Sequence, residues 1–353
     1  MSKHTRFALA SAMALIMATG GAVGLAQAKP KPAASARTPI PPGAVEEWAT
    51  LRDGTKLAAN VYKPEGKGPW PVVISRTPYL KDGRADKEKD PDGSKGRAAL
   101  AKQAKRYTDA GFVFVLQDVR GKGHSEGFYS AFENDVEDGY DSIEWAAAQP
   151  WSNGKVGLSG GSAMGITSNE AAMAAPPHLK AAYVVVAPTD LMRNSYMGGV
   201  LKEKDVLGWS KGQGVSDAVL DSQRRRVTDD VFWNRSAMST NRKYIQIPIY
   251  NVGGWYDIFN KGNISNFEYL QNHGAKGARG NQKLLTGPFG HGALSGNLEY
   301  PGFELPAAQE IRWFAYWLKG EDNGVMNEPP VSYYMMAGAE KGAPAEPVAE
   351  QPE

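Results

Sequence analysis

Two serines lie where a strand-like run meets a helix-like run. The stretch is Lys155-Val156-Gly157-Leu158-Ser159-Gly160-Gly161-Ser162-Ala163-Met164-Gly165. A serine on a sharp strand-to-helix turn presents an exposed hydroxyl, and the helix N-terminus favours negative charge developing beside it. Two registers compete. Gly157-Leu158-Ser159-Gly160-Gly161 matches G-x-S-x-G literally, whereas Gly160-Gly161-Ser162 with Gly165 matches only G-x-S-x-x-G. A nucleophile at Ser159 would open its helix with two glycines, the poorest ordinary helix formers. A nucleophile at Ser162 keeps both glycines in the turn and opens the helix with Ala163 and Met164. Helix physics favours Ser162, with Ser159 as the alternative and a plain N-cap as the bland role for Ser162.

An alcohol nucleophile needs an adjacent base, usually histidine, oriented by a carboxylate. For a nucleophile on such a turn, the chain order is Ser, then Asp or Glu, then His. Of five histidines, His4 lies at the extreme N-terminus and His124 precedes the serine. His178 follows two prolines and reads as surface, and His273 ends a helical run, where a cation suits the dipole. His291 follows an apolar run in Gly287-Pro288-Phe289-Gly290-His291 and is the expected base. Asp257, after Gly253-Gly254-Trp255-Tyr256, is the expected carboxylate, with Asp190 as runner-up.

These residues need strands that end at one edge. Apolar runs at 45–51, 56–62, 72–76, 113–117, 156–158, 182–187, 247–252 and 284–286 read as strands. Helical patterns fall at 97–109, 135–148, 163–174, 259–273 and 307–318. Asp53-Gly54 between the first two runs signals a hairpin. The later runs are apolar throughout and separated by helices, as in a parallel sheet covered on both faces. The prediction is an α/β fold with a mixed, mostly parallel sheet, whose chemistry sits beyond the carboxyl ends of the strands. Residues 190–245 break the rhythm with polar sequence and scattered aromatics, and read as a mostly helical cap.

Composition narrows the function. The 353 residues contain no cysteine, which removes disulfides, thiolate metal sites and a cysteine nucleophile. Forty basic against 38 acidic residues give no electrostatic case for nucleic acid or an anionic membrane. Lys3 and Arg6, the uncharged run 7–25 and Ala26-Gln27-Ala28 read as a signal peptide cleaved after residue 28, so no stable membrane span is expected. An exported, secreted or periplasmic protein beginning at Lys29 is the expectation, checked by mass spectrometry of the mature N-terminus. Residues 29–43 read as a Pro-rich linker and 340–353 as a disordered tail.

The ordered motifs resemble the cocaine-esterase and Xaa-Pro dipeptidyl-peptidase group of α/β-hydrolases. They are Arg52-Asp53-Gly54-Thr55-Lys56-Leu57, Arg76-Thr77-Pro78-Tyr79, Gln117-Asp118-Val119-Arg120-Gly121-Lys122-Gly123-His124-Ser125-Glu126-Gly127, Glu137-Asp138-Gly139-Tyr140-Asp141 and Gln149-Pro150-Trp151-Ser152-Asn153-Gly154. The serine turn, Gly254-Trp255-Tyr256-Asp257 and the His291 segment complete the set, spanning residues 45 to about 335. The resemblance implies a catalytic domain at 44–320. It also implies an oxyanion hole of the Tyr79 hydroxyl and the Ala163 N–H, and substrate contacts at Phe259 and Trp255. Asp118 and Arg120 look like a loop-shaping pair. Two departures stand out. Relatives usually carry Tyr where this chain has Ala163, and amino-ester hydrolases place acids where it has Ile258, Phe259 and Asn260. The family's β-sandwich domain is reduced here to what reads as its first strand, within 321–339. That strand would be an exposed edge, which a second copy of the chain could cover.

The resulting expectation is a serine hydrolase that cleaves small carboxylic esters, or amides, without metal or cofactor. Dipeptidyl-peptidase or β-lactam acylase activity is the alternative within enzymes, and an inactive remnant or binding protein the alternative outside them. A histidine base predicts a rate that falls below about pH 6.5.

Overall fold

The computed structural model describes residues 38–228, 231–291 and 307–335. The signal, most of the linker and the C-terminal tail expected from sequence lie outside them. The chain first forms β1 (Val45–Thr50) and β2 (Lys56–Tyr62), paired antiparallel as the Asp53-Gly54 turn requires. Then come β3 (Trp70–Thr77), α1 (Ser94–Asp109), β4 (Val113–Asp118), α2 (Asp135–Ala147), β5 (Ser152–Gly161), α3 (Ala163–Met173) and β6 (Leu179–Val185).

The cap follows as α4 (Leu191–Ser195), β7 (Tyr196–Met197), β8 (Val200–Leu201), a π-turn at Lys204–Gly208, α5 (Trp209–Gly212), α6 (Asp217–Arg225), α7 (Val231–Ser236) and α8 (Met238–Asn241). The chain returns to the sheet through β9 (Ile249–Gly254), α9 (Asn260–His273), β10 (Lys283–Gly287), α10 (Ala307–Phe314) and β11 (Val331–Tyr333). The sheet order is β1-β2-β4-β3-β5-β6-β9-β10-β11. Within this sheet the β1–β2 and β2–β4 pairings are antiparallel and the other pairings are parallel.

The strands are apolar on both faces because helices cover both. Val72, Ile74, Val113, Val115, Ala182 and Val184 pack in one core with Ile143 of α2, Ile166 of α3 and Leu270 of α9. Their chain neighbours Val73, Phe114, Leu116, Ala181 and Tyr183 pack in a second core with Tyr107 of α1 and Trp313 and Phe314 of α10. The two sets alternate with the period of two that a pleated strand imposes.

Several elements differ from the sequence expectation. β5 extends well beyond 156–158. Its ladder to β3 begins at Ser152, and its glycine-rich end pairs Ser159, Gly160 and Gly161 with Tyr183, Val184 and Val185 through backbone alone. The cap is not purely helical, since β7 and β8 form a hairpin across Gly198-Gly199, both with positive φ. The helix expected at 307–318 ends at Phe314 and continues as a π-turn over Ala315–Lys319. The strand expected to open a separate sandwich is the ninth strand of the main sheet. β11 pairs parallel with β10, Val331 opposite Leu284, so this segment belongs to the main sheet. No helix among the described residues is long and apolar enough to cross a membrane.

Candidate active site

Ser162 follows the last residue of β5 and caps α3 with φ 54° and ψ −123°, a left-handed conformation rare for a side chain other than glycine. Close approach builds this turn. A Cβ on Gly160 would lie 2.3 Å from the Met164 carbonyl oxygen, and one on Gly165 would lie 2.6 Å from Ala187 Cβ. The turn thus requires the small residues on both sides of Ser162, and the Ser162 N–H donates to the Val185 carbonyl at 2.9 Å.

Ser162 Oγ stands 2.8 Å from His291 Nε2, and His291 Nδ1 stands 2.8 Å from Asp257 Oδ2. The Asp257 carboxylate is fully shielded, and its other oxygen accepts the Phe259 N–H at 2.7 Å. The loops that bring Asp257 and His291 together are continuations of the ladder. Trp255 N–H donates to Gly287 O at 2.8 Å and Tyr256 N–H to Phe289 O at 3.1 Å, beyond the last strand pair Gly254–Gly287. Gly254 is needed there, because a Cβ would sit 2.1 Å from the Phe289 carbonyl oxygen.

The alternatives have other partners. Ser159 is buried, its hydroxyl bonded to Glu310 and lying 3.2 Å from the Tyr107 hydroxyl. Asp190 caps α4, accepting the Arg193 N–H at 3.0 Å and the Ser239 hydroxyl at 2.6 Å. His178 pairs with Glu144 at 2.7 Å on the surface, His273 packs against Tyr269, and His124 pairs with Glu46 at 2.6 Å. His4 lies outside the described residues.

A cavity of about 470 Å³ opens at Ser162, Ala163 and His291. Its walls come from Ile166 one turn along α3, Phe132 and Glu133 after β4, Leu191, Val206, Trp209 and Trp233 of the cap, and Phe259. Phe132 and Trp209 stack at 5.5 Å and 9°, while Phe259 meets the His291 ring edge-on at 4.7 Å. Burial pushes the Glu133 carboxyl up, against the opposing pull of the Ser130 hydroxyl, Arg226 and Arg235. Tyr79 follows β3, the sheet neighbour of β5, and its hydroxyl accepts the Trp209 indole N–H at 3.2 Å. Ala163 is the first residue of α3, where a helix N–H has no intrahelical acceptor.

One expected substrate contact lies outside the cavity. Trp255 is exposed and not part of the cavity wall. Its backbone continues the β9–β10 ladder, and its indole N–H donates to Tyr334 O at 2.7 Å, beyond the end of β11. Phe132 carried no sequence signal, since its φ of 66° is not one its residue type suggests. Ile166 was within reach of a helical-wheel argument, three residues after Ala163 on α3.

Asp118 and Arg120 shape loops through separate partners. Asp118 accepts the N–H groups of Lys81 at 2.7 Å and His124 at 3.1 Å. Burial nevertheless pushes its carboxyl up to about 6. Arg120 binds Asp138 through two nitrogens and Asp53 at 2.8 Å. Among the described residues, Glu46, Asp82 and His124 form a group with metal-ligand spacing. The buried Lys81 ammonium already fills it, donating to Glu46 at 2.7 Å, Asp82 at 2.8 Å and Asn60 at 3.1 Å.

Comparison with known proteins agrees with this architecture. The family model described as X-Pro dipeptidyl-peptidase (S15 family) matches residues 53–231 and 213–293, two overlapping segments that together cover more than half of the chain. The cocaine esterase of Rhodococcus sp. (strain MB1 Bresler) is 25% identical over 341 residues, covering 81% of this chain and 57% of that protein. A CocE/NonD family hydrolase from Staphylococcus aureus superposes with a TM-score of 0.67 at 23% identity, over 86% of this chain and 55% of that one. An aminopeptidase from the marine sediment archaeon Thaumarchaeota archaeon gives 0.64 at 23% identity, over 83% and 57%. The chain therefore spans a little over half the length of these relatives. By its matched segments and its sheet, the chain belongs to the X-Pro dipeptidyl-peptidase (S15) family of CocE/NonD-like α/β-hydrolases.

Proposed function

We propose that the protein is an exported serine hydrolase that transfers an acyl group to Ser162. The observation that carries this reading is the line from Ser162 Oγ through His291 to Asp257, with 2.8 Å at both steps. Ser162 Oγ attacks the substrate carbonyl carbon while His291 Nε2 takes its proton. The imidazolium then protonates the departing oxygen, the carbonyl–oxygen bond breaks, and an acyl-enzyme remains. Water attacks this ester with His291 again as base, releasing the acid and restoring the serine. Asp257 holds the imidazole tautomer and stabilises its charged form. The Ala163 N–H and the Tyr79 hydroxyl bind the developing oxyanion.

Small esters with an apolar acyl group fit the aromatic cavity, and an alkoxide leaves with less help from the acid than an amine does. The family description favours a second reading, hydrolysis of Xaa-Pro amides. Rates on proline dipeptide amides and p-nitrophenyl esters separate the two. Labelling the folded protein with a fluorophosphonate probe tests the shared premise. A covalent adduct mapped to Ser162 is expected, and folded protein without one would count for an inactive remnant.

A further inference from the structure

Trp209 opens α5 of the cap, lines the cavity beside Ser162, and reaches Tyr79. An indole nitrogen can only donate a hydrogen bond, whereas a phenol oxygen can both accept and donate. The 3.2 Å contact between Trp209 Nε1 and the Tyr79 hydroxyl therefore has one direction, Trp209 giving and Tyr79 accepting. The Tyr79 proton must then turn away from the indole. Among the described residues no protein acceptor takes it.

Both partners are held in place. The indole stacks on Phe132 at 5.5 Å and meets the Tyr79 ring edge-on at 6.3 Å and 88°. The Tyr79 N–H donates to Thr77 Oγ1 at 2.9 Å, which fixes the backbone from the other side. The cap segment is tied down by Lys122, whose ammonium donates to the Gln213 carbonyl at 2.8 Å, just after α5.

We propose that Trp209 is a positioning residue for the oxyanion hole, its indole N–H holding the Tyr79 oxygen so that the Tyr79 proton points at the reacting carbonyl. The proposal rests on the reading of Tyr79 as an oxyanion donor. Two physical effects follow. A hydroxyl that accepts a hydrogen bond is polarised and becomes a stronger donor. A donor aimed before charge develops stabilises the transition state without reorganisation. The cap then contributes to the rate of the chemical step as well as to the wall of the cavity.

The test compares Trp209→Phe, Tyr79→Phe and the double variant on p-nitrophenyl acetate, together with inhibition by a small boronic acid that mimics the tetrahedral intermediate. Trp209→Phe keeps a ring against Phe132 and removes the N–H. Its kcat should fall about tenfold, the value of one ordinary hydrogen bond, with KM little changed and boronate affinity reduced by a similar factor. In the Tyr79→Phe background the same change should cost nothing further. Replacing Trp209 with 3-benzothienylalanine, which keeps the shape and exchanges the N–H for sulfur, should reproduce the loss and serves if the Phe variant does not fold. A raised KM with unchanged kcat in either Trp209 replacement would make Trp209 a wall residue and overturn the proposal. Independent, multiplying losses in the double variant would overturn it too. If Tyr79→Phe alone leaves kcat and boronate affinity intact, the oxyanion role of Tyr79 fails, and the proposal fails with it.

Discussion

The two serines of the turn are three residues apart and differ in everything that chemistry needs. Ser162 has an unusual backbone conformation, a histidine nitrogen 2.8 Å from its hydroxyl, and a cavity in front of it. Ser159 points into the core, where Glu310 and Tyr107 engage its hydroxyl. The literal G-x-S-x-G match therefore belongs to the buried serine. Ser159→Ala should keep its esterase rate and lose on the order of 1–2 kcal/mol of stability, because Glu310 gives up a donor. Ser162→Ala should keep its stability and lose about 10³-fold or more in rate. Denaturant unfolding and kinetics on an activated ester check both, and the reverse pattern would move the nucleophile to Ser159. Residue-level reasoning reached Ser162 because glycine is a poor helix former, which is a local property. It did not foresee that Trp255 stands outside the cavity wall, because the direction of a side chain after a strand end depends on which neighbour extends the ladder.

At the scale of elements, the strand-to-helix turn is possible only where backbone meets backbone without a side chain between. Gly160→Ala would place a methyl group 2.3 Å from the Met164 carbonyl oxygen, an atom that cannot swing aside. That variant should lose about 1–3 kcal/mol of stability by overpacking, and its fluorophosphonate labelling should slow as Ser162 shifts. Labelling and unfolding curves identical to wild type would show that the turn tolerates a side chain. Most strands were legible because their apolar residues alternate between two cores. The glycine-rich end of β5 was not, since its pairing with β6 uses backbone groups that composition does not report. The β7–β8 hairpin was hidden for a different reason, with only two residues per strand to carry a pattern.

For the whole molecule, stability is gathered partly at Lys81, a buried ammonium that joins Glu46 of β1 to Asn60 of β2 and to Asp82 after β3. Burial alone would raise the Glu46 carboxyl. The hydrogen bonds and charges of Lys81 and His124 together outweigh it and hold that carboxyl below its ordinary value. A carboxyl depressed in the folded state adds stability above its unfolded value and loses it as pH falls through the folded one. Glu46→Gln should therefore be less stable than wild type near neutral pH, and the gap should close below about pH 4. Thermal or denaturant unfolding from pH 7 to 3 measures it, and a constant gap across that range would refute the ion-pair account.

By itself the sequence determined the α/β class, the order of the motifs, the strand-end positions of Ser162, Asp257 and His291, and the absence of any thiol chemistry. These are properties of local pattern and chain order, which survive without coordinates. Tertiary structure alone decided that Glu310 engages the Ser159 hydroxyl, that β11 joins the main sheet, and that a cap tryptophan reaches the Tyr79 hydroxyl. Each of these depends on groups far apart in the chain meeting within a few ångströms, and such distances are set by packing of the whole sheet rather than by any one segment.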